Sequence, residues 1–223
     1  MLAVPFENLT IHLGGTNVLD LESNYQKLVV ERRGGWCFEL NGTFAWLLAQ
    51  LGFEVTLLAA GVHMGTGYSN EFDHLALRVD LDEPWLVDVG FGENFTRPLR
   101  LQPGIDQPRD GRVYRLDPDG ERLGMSHDGE LNYRFALTPR EMSQFEESCR
   151  FLQSAAGSFF TRDPGCSLAT ENGRITLAGM RLIETTAGDR TERVLKTEDE
   201  RRAVLRERFG VVVDGPFRSP SPD

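Results

Sequence analysis

The sequence predicts an α+β fold in which helices come first, short antiparallel strands follow, and a mixed helical and strand region comes last. Three observations support this order. Apolar residues recur at helical spacing before residue 52, short β-branched runs separated by turns follow, and a capped helix lies near the C-terminus. With 223 residues, 40% of them hydrophobic and 26% charged, the chain has the composition of a globular protein.

Two helices are expected in the first part of the chain. Residues 21–32 have apolar positions at helical spacing, and a glycine pair, Gly34 and Gly35, follows the basic last turn as a helix stop. Residues 37–51 repeat the pattern and end at Gly52. Cys37 is therefore predicted at a helix N-terminus.

Short β-branched and apolar runs fill the middle of the chain. They indicate strands at residues 53–62, 74–81, 85–91, 112–116, 122–126 and 132–137. Consecutive short strands joined by tight turns predict an antiparallel sheet or a small barrel.

The last part of the chain is predicted to mix helices and strands. Thr138 and Pro139 begin a helix expected over 139–152. Strands are expected at 174–184 and 191–196. A final helix is predicted over 197–210, with Thr197 and Glu200 as a capping box and Gly210 as its stop.

Charge and cysteine content exclude several classes of protein. The net charge of −10 argues against a protein that binds nucleic acid and against a polybasic protein that binds a membrane surface. The residue pattern predicts neither a signal peptide nor a membrane span. Cys37, Cys149 and Cys166 are sparse and form no zinc-type spacing, which argues against a disulfide framework and a metal site. We expect a cytoplasmic protein without a metal, a nucleic acid partner or a membrane partner.

The sharpest chemical feature is RGGWCFELN at residues 33–41. Two glycines lead into a helix whose first turn holds Cys37. A helix N-terminus presents free N–H groups and a positive dipole end, which stabilise the nucleophilic thiolate. The local pattern alone leaves open that Cys37 is a small buried apolar residue.

A nucleophilic cysteine needs a base, and the base needs an orienting acceptor. His74 begins the strand HLALRVDL, and Asp88 lies in the apolar segment WLVDVG, near the end of the next strand. Adjacent antiparallel strands can bring these two side chains together, and pairing would offset the cost of burying the carboxylate. Taken singly, an edge histidine and a turn-capping aspartate remain open.

These segments resemble the arylamine N-acetyltransferases. The resemblance is carried by VPFENL (4–9), RGGWCFELN (33–41), HLAL (74–77) and DVGFG (88–92), in that family's order. It implies a helical domain, a β-barrel domain and an α/β lid with a papain-like Cys-His-Asp triad. On this chain the domains would span residues 1–52, 53–152 with an interdomain helix, and 153–223.

The resemblance also implies an activity. Cys37 would accept an acetyl group from acetyl-coenzyme A, His74 would activate it and Asp88 would orient His74. A ping-pong reaction would then pass the acetyl group to an arylamine, hydrazine or arylhydroxylamine, as in xenobiotic metabolism. Family resemblance extends to a substrate or coenzyme A pocket at Phe38, Asn70, Asp73, Gly90 and Phe91. The oligomeric state stays open.

The N-terminus departs from the family. Only Met1, Leu2 and Ala3 precede VPFENL, where family members normally have further helices. We expect an N-terminally truncated member or an internally assigned start. An apolar face that includes Val29, Phe44 or Leu48 would then be exposed.

Other functions remain open at this stage. The triad also suits an amide synthase with another acyl donor, a cysteine hydrolase or a transglutaminase-like enzyme, although the surrounding motif disfavours the last two. A truncated, non-catalytic remnant is a further alternative. Retention of Cys37, His74 and Asp88 together argues against it.

Overall fold

The computed structural model describes residues 1–218. Its α-helices are α1 (Leu9–His12), α2 (Leu21–Tyr25), α3 (Cys37–Gln50), α4 (Glu146–Ser154), α5 (Phe159–Arg162) and α6 (Glu198–Phe209). Its strands are β1 (Phe6–Glu7), β2 (Glu54–Val62), β3 (His74–Asp80), β4 (Pro84–Val87), β5 (Leu99–Arg100), β6 (Asp106–Arg109), β7 (Arg112–Asp119), β8 (Arg122–His127), β9 (Glu130–Phe135), β10 (Gly165–Thr170), β11 (Gly173–Ala178), β12 (Arg181–Thr186) and β13 (Asp189–Val194).

The chain divides into two compact units. One contains residues 37–148, and the other contains residues 1–36 together with the chain from Cys149 onward. The division into three domains at residues 52 and 152 stays a prediction.

The unit of residues 37–148 is built on an antiparallel sheet in the order β5-β4-β3-β2-β9-β8-β7-β6. The sheet curls until its two edge strands meet through one side chain. Gln107 on β6 donates from Nε2 to the Arg100 carbonyl at 3.0 Å and accepts from the Arg100 N–H at 2.7 Å. The sheet is therefore a nearly closed barrel, which confirms the predicted antiparallel barrel.

Alternation along the strands separates two apolar layers. One face of the sheet encloses the barrel core, which includes Ala76, Leu86 and Tyr133. The opposite face, at Leu77 and Val87, packs against α3. Successive strand residues point to opposite faces, so the two-residue period fixes which side chains enter the barrel.

The other unit has a second antiparallel sheet, in the order β1-β10-β11-β12-β13. Helix α6 packs its Val204, Leu205 and Phe209 side chains into one core with Cys166 and Leu177 of this sheet. This arrangement is the mixed helix and strand region that the sequence predicts.

The predicted helix of residues 21–32 differs in detail. It is a short α2 that continues as a π-helical turn over Gln26–Val30, and the left-handed residue after it is Arg32, with φ of 53°. The glycine pair is therefore not the helix stop. Gly34 instead permits a close approach, because a Cβ there would lie 2.3 Å from the Pro5 carbonyl oxygen.

The predicted helix of residues 139–152 begins later than expected. Arg140 donates its backbone N–H to the Leu57 carbonyl at 3.0 Å, which keeps this segment extended. A capping box between Glu141 and Gln144 then starts a 3-10 turn, Met142–Phe145, that leads into α4.

The last predicted elements also shift. Residues 174–184 form two strands, β11 and β12, because Gly179 adopts φ of 59° and turns the chain. Helix α6 is capped by Thr197 and ends at Gly210 as predicted. The capping box is incomplete, since the Glu200 carboxylate accepts from the Lys196 N–H at 2.8 Å.

The expected exposed apolar face is only partly present. Val29 is exposed, but Phe44 and Leu48 pack against Leu77 and Val87. Within residues 1–218, no helix is both long enough and apolar enough to cross a membrane.

Candidate active site

Cys37 is the first residue of α3, as predicted. The helix packs on the outer face of β3 and β4. Its N-terminus, with Cys37, therefore lies beside these two strands. The Cys37 side chain is buried, and its Sγ lies 3.9 Å from the Asp73 carbonyl oxygen. This position places the thiol at the positive end of the helix dipole.

His74 and Asp88 come from neighbouring strands and share the inward face. The ladder between β3 and β4 ends at the pair Leu77 and Val87, whose side chains face α3. His74 lies three residues before Leu77 and Asp88 one residue after Val87, so the two-residue period turns both toward the barrel core. They are diagonal neighbours across the end of the ladder.

The three side chains form one contact chain. His74 Nε2 lies 2.8 Å from Asp88 Oδ2, and the Cys37 thiol hydrogen-bonds to the same imidazole ring. Since Asp88 occupies Nε2, Nδ1 is the nitrogen left for Cys37. His74 and Asp88 are each only 2% exposed, so this charged pair is removed from water.

The charge state of His74 is set by its partners. Burial by itself lowers the pKa of His74, but the Asp88 charge, the hydrogen bond to Asp88 and the neighbouring Cys37 together raise it to about 10. Burial by itself raises the pKa of Asp88, but His74, Asn41 and Gly90 bring it below its ordinary value. The pair is therefore an imidazolium and a carboxylate near neutral pH.

Both Asp88 oxygens receive more than one donor. Oδ2 accepts from His74 and from Asn94 Nδ2, the latter at 3.2 Å. Oδ1 accepts from Asn41 Nδ2 at 2.9 Å and from the Gly90 N–H at 2.9 Å. These bonds satisfy a charge that would otherwise be costly to bury.

Aromatic rings enclose the imidazole. The centroid of the His74 ring lies 5.0 Å from that of Tyr133 and 5.2 Å from that of Phe91. The Tyr133 hydroxyl lies beside Asp88 and Asn94, and burial followed by the Asp88 charge raises the pKa of Tyr133 well above its usual value. The aromatic wall limits the access of water to the ion pair.

The predicted pocket residues lie in different settings. Gly90 and the half-buried Phe91 belong to the segment that follows Asp88 and contacts His74. Phe38 is fully buried against Phe145. Asn70 is exposed, and its N–H donates to the Asp73 carboxylate, which also accepts from the Ser148 hydroxyl at 2.7 Å. A role for these five residues in ligand binding stays a prediction.

Sequence reasoning assigned no role to Asn41, Asn94 or Tyr133. Asn41 lies within the RGGWCFELN motif, four residues after Cys37, and this helical spacing is a signal for a shared face. Asn94 and Tyr133 reach Asp88 from a loop and from β9, and no sequence pattern links them to it.

The grouping of His, Cys, Asp and Glu side chains bears on whether the site could hold a metal ion. Across the described part of the chain, no three His, Cys, Asp or Glu side chains are grouped so that they could hold a metal ion. The site residues themselves are a thiol, an imidazole and a carboxylate, which suit nucleophilic catalysis.

Comparisons with known proteins agree on one family. A family model described as N-acetyltransferase matches residues 1–218. The pineal gland arylamine N-acetyltransferase isozyme NAT-3 of Gallus gallus is 35% identical over 246 aligned positions, which cover 96% of this chain and 85% of that protein.

Solved structures give the same result. The arylamine N-acetyltransferase of Salmonella typhimurium superposes with a TM-score of 0.89 at 30% identity, covering 97% of this chain and 82% of that one. The Mycobacterium marinum arylamine N-acetyltransferase in complex with CoA has a TM-score of 0.87 at 30% identity, with coverage of 93% and 81%.

Proposed function

Because the chain belongs to the arylamine N-acetyltransferase family and is thus an acyltransferase, we propose that it acetylates small amines through an acetyl-Cys37 intermediate. Acetyl-coenzyme A is the donor. An arylamine, hydrazine or arylhydroxylamine is the acceptor. The observation that supports this proposal best is the placement of the His74 imidazole between the Cys37 thiol and the Asp88 carboxylate.

In the first half-reaction the Cys37 thiolate attacks the thioester carbonyl of acetyl-coenzyme A. A tetrahedral intermediate forms, and its oxyanion needs N–H donors, for which the backbone N–H of Cys37 is a candidate. The bond to the coenzyme A sulfur then breaks, and the His74 imidazolium protonates the departing thiolate. Cys37 is left as an acetyl thioester and His74 as a neutral imidazole.

The second half-reaction uses the changed state of His74. Once Cys37 is acetylated, its negative charge no longer helps to raise the pKa of His74. The neutral imidazole can then accept the proton of the attacking amine while Asp88 holds the ring in place. The bond from the acetyl carbon to Cys37 Sγ breaks, and the products are an acetylated amine and a Cys37 thiolate beside the His74 imidazolium, the state from which the first half-reaction starts.

Two points support acetyl-coenzyme A as the acyl donor. The M. marinum arylamine N-acetyltransferase was solved in complex with CoA, and this chain resembles it over 93% of its length. A thioester also suits a thiolate nucleophile, because the transfer breaks one thioester bond and forms another of the same kind. These points support acetyl-coenzyme A as the donor.

The test is an intact-mass measurement after the purified chain is incubated with acetyl-coenzyme A and no acceptor. We expect one acetyl group on the wild-type chain and on the matched control Cys149→Ser, whose thiol is buried elsewhere, and none on Cys37→Ser. A folded wild-type chain that gains no acetyl group contradicts the proposal and favours the non-catalytic remnant. An adduct with other acyl thioesters alone favours the amide synthase.

A further inference from the structure

We propose that Asn41 is a positioning residue of this reaction: its amide fixes the Asp88 carboxylate, and through it His74, against the helix turn that holds Cys37. The inference rests on the proposed function, because it assigns Asn41 a role in preparing the same thiol. It is distinct from general packing, since it predicts a particular dependence on pH.

The contacts of Asn41 tie three elements together. Its Nδ2 donates to the Leu75 carbonyl at 2.6 Å and to Asp88 Oδ1 at 2.9 Å, and its Oδ1 accepts from the Val89 N–H at 2.9 Å. Leu75 follows His74 in β3, and Val89 follows Asp88. One side chain of α3 thus holds the backbone next to both partners of the ion pair.

The helix places Asn41 directly above Cys37. Residues four apart in an α-helix lie on the same face, one turn from each other. The distance between the thiol and the imidazole is therefore controlled by how α3 is held against β3 and the segment after β4. Asn41 supplies that connection from a fully buried position, where hydrogen bonds are not weakened by competing water.

Asn41 and His74 bond to different oxygens of the Asp88 carboxylate. It donates to Oδ1, whereas His74 takes Oδ2. A neutral donor on Oδ1 holds the carboxylate ionised and leaves Oδ2 directed at the imidazole. An apolar side chain of similar shape would leave the Leu75 carbonyl, the Val89 N–H and Oδ1 short of a partner.

The groups that face Asp88 define its titration. From β3 comes His74, with Cys37 behind it, and from β9 comes Tyr133. Asn41 from α3 and Asn94 from the loop after β4 are neutral donors. A carboxylate at position 41 would be a second acid 2.9 Å from Asp88 Oδ1.

The decisive variant is therefore Asn41→Asp. An ionised carboxylate at this position repels Asp88 and cannot donate to Leu75, whereas a protonated one restores a donor. We expect the rate of Cys37 alkylation by iodoacetamide, relative to wild type, to fall by about tenfold between about pH 6 and about pH 9. Gln50→Glu, the same chemical change at an exposed position of α3, should show a ratio that is flat with pH.

A second variant guards against the case in which Asn41→Asp disrupts the fold. The side chain in Asn41→Ser is too short to reach Asp88, so Asp88 should accept a proton at higher pH. We expect the acidic limb of the alkylation profile to move up by about half a unit or more. Circular dichroism and the thermal midpoint report the fold of each variant.

The results for the two variants either support or overturn the positioning role of Asn41. A flat ratio for Asn41→Asp or an unmoved acidic limb for Asn41→Ser overturns the inference, as does unfolding of both variants at every pH. A wild-type Cys37 that is alkylated no faster than Cys149 counts against the proposed function instead, whatever the Asn41 variants do.

Discussion

Gly90 lies so close to Cys37 that a Cβ built on Gly90 would fall 2.6 Å from the Cys37 Cα and 2.8 Å from Asn41 Nδ2. Real Cβ atoms essentially never make contacts this short. The nearest atom, the Cys37 Cα, belongs to the helix backbone and cannot move as the end of a flexible side chain could. The segment after Asp88 therefore reaches the first turn of α3 only because position 90 has no side chain. This close approach is what brings the Cys37 thiol and the ion pair into one site.

Gly90→Ala should therefore damage the site more than the fold. We expect a loss of stability of about 1–3 kcal/mol from the enforced backbone shift. We also expect a loss of acetyl transfer beyond that explained by the folded fraction. Gly67→Ala is the matched control, because a Cβ there meets nothing within 4 Å. Equal activity of the two variants would show that the close approach is dispensable.

The charge of Asp88 should matter separately from its shape. Asp88→Asn keeps the outline of the side chain but removes the negative charge, and burial then lowers the pKa of His74 without opposition from that charge. We expect acetylation of Cys37 at neutral pH to slow by about 10²-fold or more, since orientation and charge are lost together. Pre-steady-state mass spectrometry measures the rate.

The control for that variant is Asp82→Asn, which removes an exposed carboxylate from the turn between β3 and β4. It should acetylate at the wild-type rate. An Asp88→Asn chain as fast as this control would show that His74 needs no anionic partner.

The ion pair also predicts how stability varies with pH. His74 has a pKa raised from 6.5 to about 10, so its contribution is full below pH 6.5 and is lost as the pH rises through about 10. Asp88 has a pKa lowered from 3.8, so its contribution is full above pH 3.8 and is lost as the pH falls through the lowered value.

The thermal midpoint of wild type should therefore exceed that of His74→Gln most clearly between about pH 4 and about pH 6.5, where both contributions are full. The difference should shrink towards pH 10 and towards strong acid. A difference that is the same at every pH would mean that packing, not charge, accounts for the effect of His74.

The closure of the barrel makes a prediction about stability alone. Gln107 is the side chain that links the edge strands through both polar groups of Arg100. Gln107→Ala leaves these backbone groups without a partner and should cost about 1–3 kcal/mol in urea unfolding. Gln102→Ala, at an exposed position nearby, should be close to neutral. Similar values for the two would indicate that water replaces the link freely.

The sequence predicts the elements of the site better than its contacts. The start of α3 at Cys37 and the strand that begins at His74 follow from local periodicity and glycine placement. The strand expected over 85–91 ends at Val87, because the Val89 and Gly90 N–H groups bond to the side chains of Asn41 and Asp88. Side-chain partners of this kind have no signature in strand propensity.

Other features depend on pairing between distant segments. Strand β5 has only two residues and β6 is short and polar, and both form because the barrel offers them partners and Gln107 joins them. Asn94 and Tyr133 reach Asp88 only once the sheet has curled. Tertiary packing decides such contacts, and one sequence read by periodicity does not contain them.

The most direct test of the proposed acetyl transfer is to follow it from an isolated intermediate. The chain is acetylated with acetyl-coenzyme A, freed of all coenzyme A by gel filtration, and mixed with an arylamine. We predict that the acetyl group leaves Cys37 and appears on the amine in equal amount, with the free thiol restored. An acetyl-Cys37 chain that keeps its acetyl group, or releases it only as acetate, would contradict the proposed transfer.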